Sequence, residues 1–370
     1  MSERREMRIA GGRAFTFIAL FVSGMMVAAA PAAPRPLKKV VLVFASANLP
    51  VGTSPQTSLP KMLGYWEEEG LDVELQGAAG SLPSLQMIVG GKGDIGVVQP
   101  LTLFQMRPRG AEIRAFYTFV RQNWFFPAVL ADGPIRSIRD FKGKRIGVQS
   151  LGASMIPFMK LVVADAGLDP ENDVSFVGVG LGAGAAALLQ QRKVDVLGLW
   201  SAQYALMENA GFNLRKFVDV SPIRDLSFAV TFVATDAWLR NNPEIAVGVG
   251  RGLAKASVFA LHNPTAAVRL HWKMFPQTRP AGESDVEALR KALHELEAAL
   301  AFMRIDTTTD KRWGATTREE IEAYANVLLR SGLLDRSPGR PEQYYTNEFL
   351  ERINAFDEAK IIDQARRYSL

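Results

Sequence analysis

The sequence predicts an α/β protein made of two equivalent lobes joined by two extended crossings. Three observations carry this expectation. Strand-like and helix-like segments alternate as far as Trp200. One αβ unit occurs twice: helical turns, a basic turn at Lys92, Asp94 and an apolar strand recur as helical turns, Lys193, Asp195 and a strand. The repeats keep a near-constant offset. Lys92 and Lys193 are 193 − 92 = 101 residues apart, and the strand openings at Lys38 and Lys144 are 144 − 38 = 106 apart.

The first lobe is expected to open with a strand over 40–44, followed by a polar, proline-bearing loop over 46–58. A helix then ends near 67–69, where Gly70 stops it. A strand over 71–75, a helix over 82–89 and a strand over 95–98 follow, the last ending at Gln99-Pro100. Pro60 and Pro83 fit only near helix starts. The second lobe repeats the order: strand 145–148, helix 155–166, strand 174–177, a glycine-rich link over 178–184, helix 185–191 and strand 194–200. Val129-Leu130-Ala131-Asp132 and Val233-Ala234-Thr235-Asp236 are alike and read as the two crossings. The expected division is therefore 37–130 with 229–370 for lobe one and 131–228 for lobe two.

From Ala237 onward the pattern is helical. Helices are expected from Pro243 to His262, from Pro264 to Phe275 and from a Ser284 cap to Met303. Another opens on a Thr317–Glu320 capping box, and a last one runs from Thr346 or Asn347 to Tyr368. They are expected to complete lobe one and wrap its back.

Composition narrows the function. With 48% hydrophobic residues in 370, two cores are possible. The formal charge of +5 includes 4 − 2 = +2 from residues 1–33, which leaves 5 − 2 = +3 for the rest. That balance, without any long Lys/Arg run, argues against nucleic acid. Residues 1–32 read as a secretory signal: a basic start, an apolar run over 14–30, and small residues allowing cleavage after Ala29 or Ala32. A retained membrane anchor is the alternative. The absence of cysteine excludes disulfides, thiolate metal sites and cysteine catalysis. Three histidines, His262, His271 and His294, lie in the C-terminal helices without metal-ligand spacing, away from the expected cleft.

Four motifs in order then carry a resemblance: 64–73 (GYWEEEGLDV), 93–98 (GDIGVV), 137–148 (Ser137, then DFKGKRIGV from Asp140) and 193–196 (KVDV). With the leader, the chain resembles the periplasmic substrate-binding proteins of ABC importers, in the group that binds nitrate, sulfonates, taurine and thiamine precursors. The resemblance covers about residues 38–355. It implies a two-lobed periplasmic-binding-protein fold of type II with added C-terminal helices. It also implies a small solute clasped between the lobes, a membrane permease as partner, a periplasmic location, a monomer, no cofactor and no enzymatic activity. Two alternatives stay open: a thiamine-pyrimidine-synthase-like enzyme and a receptor feeding a membrane sensor. Such synthases are marked by a cysteine-rich motif, which this chain lacks.

In such a fold the ligand sits at the strand ends facing the other lobe. The strongest signal is 140–155, where a short strand gives way to Gln149, Ser150, Gly152 and Ser154 before a helix. Free N–H groups at that helix start, with the helix dipole, suit an anionic or strongly polar ligand. Ser150 and Ser154 can equally be plain helix caps. Gly80 and Ser81 stand in the same relation to lobe one. Ser46 and Asn48 follow the first strand, Gln99 ends the third, and Trp200 ends the equivalent strand of lobe two, where a ring can cover an apolar surface. Trp66 reads as core, and Trp124-Phe125-Phe126 reads as hinge or core packing. Gly180-x-Gly182 lacks the rest of a dinucleotide fingerprint.

Overall fold

The computed structural model describes residues 36–152, 155–220, 226, 228–306, 308–330, 332–334 and 337–369. The expected leader, residues 1–32, and Ser154 lie outside the described residues.

Among the described residues, ten strands form two five-stranded sheets. They are β1 (Lys38–Phe44), β2 (Leu71–Gly77), β3 (Ile95–Val98), β4 (Ile113–Val120), β5 (Phe125–Leu130), β6 (Lys144–Val148), β7 (Val174–Gly178), β8 (Val196–Trp200), β9 (Leu214–Lys216) and β10 (Val230–Thr235). The orders are β2-β1-β3-β10-β4 and β7-β6-β8-β5-β9. In each sheet the first three strands are parallel and the last two pairings are antiparallel. Each sheet with its helices is one lobe.

The duplicated aspartate has the same task in both lobes. Asp94 Oδ2 accepts the Val41 N–H at 2.8 Å, and its own N–H donates to the Val41 carbonyl at 3.0 Å. Asp195 Oδ2 accepts the Arg145 N–H at 2.9 Å, and its N–H returns to the Arg145 carbonyl, also at 2.9 Å. A carboxylate accepting a backbone N–H makes a strong, charge-assisted bond. This pair of bonds locks the register of β3 on β1 and of β8 on β6.

The two alike segments read as crossings are not crossings. Val129 and Leu130 end β5, and Val233–Thr235 end β10; these are the equivalent fourth strands of the two sheets. Their likeness comes from equivalent positions antiparallel to β8 and β3. The chain passes between the sheets over 121–124, so the boundary expected at 130/131 falls at the end of a strand of the second sheet. Strands β4 and β9 were hidden because no repeat marks them.

Other differences are local. The expected loop over 46–58 holds a helical turn, Val51–Gln56, and a helix, Ser58–Met62. Gly64, at φ +74°, breaks the chain before a second short helix, Tyr65–Glu68. The helix expected to run to Tyr368 is two, Leu350–Ile353 and Glu358–Arg367. Asn354 interrupts it by donating its amide N–H groups to the Trp313 and Leu350 carbonyls, and Asp357 caps the restart at Lys360 N–H. The Thr317–Glu320 capping box is present in both directions, and Ser284 caps the helix Asp285–Leu300.

The C-terminal helices do more than wrap lobe one. Asp285–Leu300 packs on both Val51–Gln56 of lobe one and Ser201–Asn209 of lobe two. Asn209 donates to the Lys291 carbonyl at 2.6 Å and meets His294 Nδ1 at 3.0 Å. Tyr324, on the helix Arg318–Arg330, packs its ring on Phe104 of lobe one and Phe158 of lobe two. Arg121, fully buried where the chain crosses, donates to Glu320 at 2.8 Å, to Thr308 at 2.9 Å and to the Asp310 carbonyl.

The 64–73 motif is structural. Trp66 lies flat against Gly252 of the helix Pro243–His262 and donates its Nε1–H to the Val249 carbonyl at 3.2 Å. A Cβ at Gly252 would collide with the indole. Gly252→Ala is therefore expected to destabilise the fold by about 1–3 kcal/mol. Urea unfolding checks this, and an unchanged midpoint would contradict the packing.

Candidate functional site

The C-terminal ends of β1, β3, β6 and β8 face one another across the lobes. Between them lie two adjoining cavities of about 360 and 370 Å³. Ala45, Gln99, Phe125, Gln149 and Trp200 line both and join them into one site.

The first cavity has Phe44, Ser46, Asn48, Thr53 and Gln56 on the lobe-one side. Trp124, Leu181, Gly182, Gln203 and Leu206 stand opposite. The second cavity is lined by Gly80, Ser81 and Leu82 from lobe one and by Ser150, Leu151, Gly152 and Met155 from lobe two. Every described candidate from the sequence thus lines at least one of the two cavities, and those of the second face each other from opposite lobes.

Helix starts converge here. The helices Ser81–Val89, Ala183–Gln190 and Ser201–Asn209 begin at Gly80, Gly182 and Trp200, and no side chain caps any of them. Ser81 is not a helix cap. Its Oγ accepts the Gln99 N–H at 3.2 Å and so ties the end of β3 to this helix start. Ser46 closes a turn with the Asn48 backbone, donating to its carbonyl at 3.0 Å and accepting its N–H at 3.2 Å. Ser150 and Gly152 are exposed at the mouth of the second cavity.

Several lining residues are not among the contacts that the sequence suggests. Gln149 follows β6 as Gln99 follows β3, and that shared position was the available signal. Gln203 lies one helical turn beyond Trp200; its Oε1 accepts the Gly182 N–H at 2.9 Å. Gln56 sat in the presumed loop. Trp124 and Phe125, read as hinge or core, are walls of the site, whereas Phe126 is core. Trp124, Phe125 and Trp200 form an edge-to-face series with centroid distances of 5.9 and 6.3 Å.

Among the described residues, no Asp, Glu, Lys, Arg or His lines either cavity. No group of His, Cys, Asp or Glu there could hold a metal ion.

Two titratable groups stand just behind the wall. His271, expected away from the cleft, holds the segment that bounds it: Nε2–H donates to the Leu49 carbonyl at 3.0 Å and Nδ1 accepts from Ser58 Oγ at 2.8 Å. Glu295 accepts the Gly52 N–H at 3.0 Å. Burial pushes the Glu295 carboxyl up to about 7, against the pull of that N–H. Burial brings the His271 imidazole down to about 4, against the Leu49 hydrogen bond.

Comparison with known proteins places the chain. The profile described as NMT1/THI5 like matches residues 59–267, more than half of the sequence. The chain belongs to the NMT1/THI5-like family. A Brucella abortus protein named only as a binding protein is 24% identical over 79% of this chain and 86% of its own. A 4-amino-5-hydroxymethyl-2-methylpyrimidine phosphate synthase of Saccharomyces cerevisiae is 24% identical over 62% of this chain and 68% of its own. The periplasmic nitrate-binding protein NrtA of Synechocystis superposes with a TM-score of 0.62 at 13% identity, over 88% of this chain and 91% of its own. The fold is that of the periplasmic binding proteins.

The opposed titrations give a prediction. Between 4.5 and about 7 the native protein holds a proton on Glu295 that the unfolded chain has lost, so this contribution to stability falls as pH rises. Between about 4 and 6.5 the unfolded chain holds the extra proton on the His271 position, so that contribution is lost as pH falls. The two slopes offset. Glu295→Gln should leave the His271 slope unopposed. The variant should gain on the native protein by on the order of 3 kcal/mol as pH rises from below 4.5 to above 7. Denaturant unfolding across pH checks this; a constant difference would contradict it.

Proposed function

We propose that this protein is the extracytoplasmic solute-binding component of an ABC importer. It clasps a small anionic or polar organic solute between its lobes and delivers it to a membrane permease. The observation that carries this reading is the joined pair of cavities lined from both sheets. A solute there completes its contacts only when both lobes engage it, and so favours closure. Ser46, Asn48, Gly80, Ser81, Gln99, Ser150, Gly152 and Trp200 are the proposed contacts, to which we now add Gln56, Gln149, Gln203 and Trp124. The described lining offers amides, hydroxyls and rings, and no titratable side chain, which suits recognition better than proton transfer.

Purified protein should carry or take up a small solute. A thermal-shift screen over sulfonates, nitrate, carboxylates and pyrimidines, after removal of carried-over solute, should yield a compound that raises the melting temperature. No shift with any of them, together with no solute in the freshly purified protein, would contradict the receptor reading. Trp200→Ala should weaken binding by about tenfold through the lost ring surface while the protein stays folded by circular dichroism.

A further inference from the structure

We infer that Glu295 makes the junction between the lobes sensitive to pH: the closed junction holds its carboxyl neutral, and ionisation of that carboxyl favours parting of the lobes. Resting on the receptor reading, it follows that solute is held more firmly in mild acid than above neutrality.

Three elements meet at this junction. They are the helical turn Val51–Gln56 of lobe one, the helix Ser201–Asn209 of lobe two, and the helix Asp285–Leu300 that packs on both. Gly52 is the point of closest approach: a Cβ there would lie 3.2 Å from the Ala202 Cβ and 3.3 Å from the Ala299 Cβ. Glu295, 4% exposed, accepts the N–H of that same Gly52. An ionised carboxylate enclosed without a paired cation is costly, and water reaching it removes much of that cost. No cation is among the influences on Glu295, whose carboxyl burial pushes up to about 7. Parting of Val51–Gln56 from Ser201–Asn209 admits water to the junction and lets the carboxyl return toward its ordinary range. The closed arrangement therefore binds the extra proton. It is favoured at low pH, and that advantage fades as pH rises from 4.5 to about 7.

The other titratable groups of the elements packed here are engaged elsewhere or face solvent. Val51–Gln56 has none. On the lobe-two helix, the Tyr204 hydroxyl bonds to lobe-two backbone at Phe126, Leu197 and Leu199, and Glu208 pairs with Lys216. On the helix of Glu295 itself, Asp285 pairs with Arg269 and Arg279, Glu287 with Arg290 and Lys291, and Glu297 is exposed. On the helix Pro264–Met274, Lys273 is exposed. The His271 partners, Leu49 and Ser58, both belong to lobe one, so parting of the lobes leaves that ring enclosed. His294 is the competing group, because its ring meets Asn209 and Glu208 of lobe two.

The test measures the separation of the lobes. The sequence has no cysteine, so Val89→Cys with Arg139→Cys places one spin label on each lobe, at exposed positions outside both cavities. Label distances are recorded on the full chain, after removal of carried-over solute, at about pH 5 and about pH 7.5. The ratio of closed to open molecules should fall by about tenfold over this range, and the distances should lengthen. Glu295→Gln keeps an acceptor for the Gly52 N–H and removes the charge, so its distances should stay short at both pH values. His294→Gln should keep the full response. Distances that do not change with pH, a response that survives in Glu295→Gln, or one that disappears in His294→Gln would overturn the inference. The measurement uses no solute, so failure of the pH response and failure of the receptor reading are told apart.

Discussion

The architecture depends on one repeated constraint, the aspartate that ties the start of the third parallel strand to the backbone of the first. Asp94 on Val41 and Asp195 on Arg145 exchange two bonds each with a neighbouring backbone. A slip of one residue would turn every side chain of the strand to the other face. With the N-terminal ends fixed, the C-terminal ends of β1, β3, β6 and β8 bring Ala45, Gln99, Gln149 and Trp200 to one place. The site is thus a consequence of register at the far end of the same strands.

A second layer of constraint is polar and buried. The stretch that bounds the first cavity on the lobe-one side runs from an irregular segment, 46–50, into the helical turn Val51–Gln56, and its backbone is held from behind by His271 at Leu49 and by Glu295 at Gly52. Both groups belong to C-terminal helices. The helix bearing Glu295 also touches lobe two, and Tyr324 packs on both lobes. These helices therefore couple the wall of the site to the region where the chain crosses between sheets. Relative movement of the lobes must work against those contacts.

The duplication made the two parallel cores legible, because each repeat pairs a strand with its aspartate and helix. It misled at β5 and β10. Two alike segments were read as crossings, although likeness in a duplicated fold marks equivalent positions within the sheets. Strand-end logic placed Ser46, Gln99, Ser150 and Trp200 at the cleft, and they line the cavities, since direction along a parallel strand determines which end faces the cleft. It missed Gln56, because helical turns interrupted by proline and glycine leave no periodic trace. It missed Trp124 and Phe125 because burial and cavity lining look the same in an apolar run. The absence of charge in the described lining was beyond reach: which side chains converge is set by packing of segments far apart in sequence.

The central claim is that the joined cavities between the lobes hold the solute. Its most direct measurement is a crystal structure of the protein with its co-purified solute. The account predicts density in contact with Trp200 and Gln99, bridging side chains of both lobes. A solute bound on the outer face of either sheet, with these cavities holding only water, would contradict it.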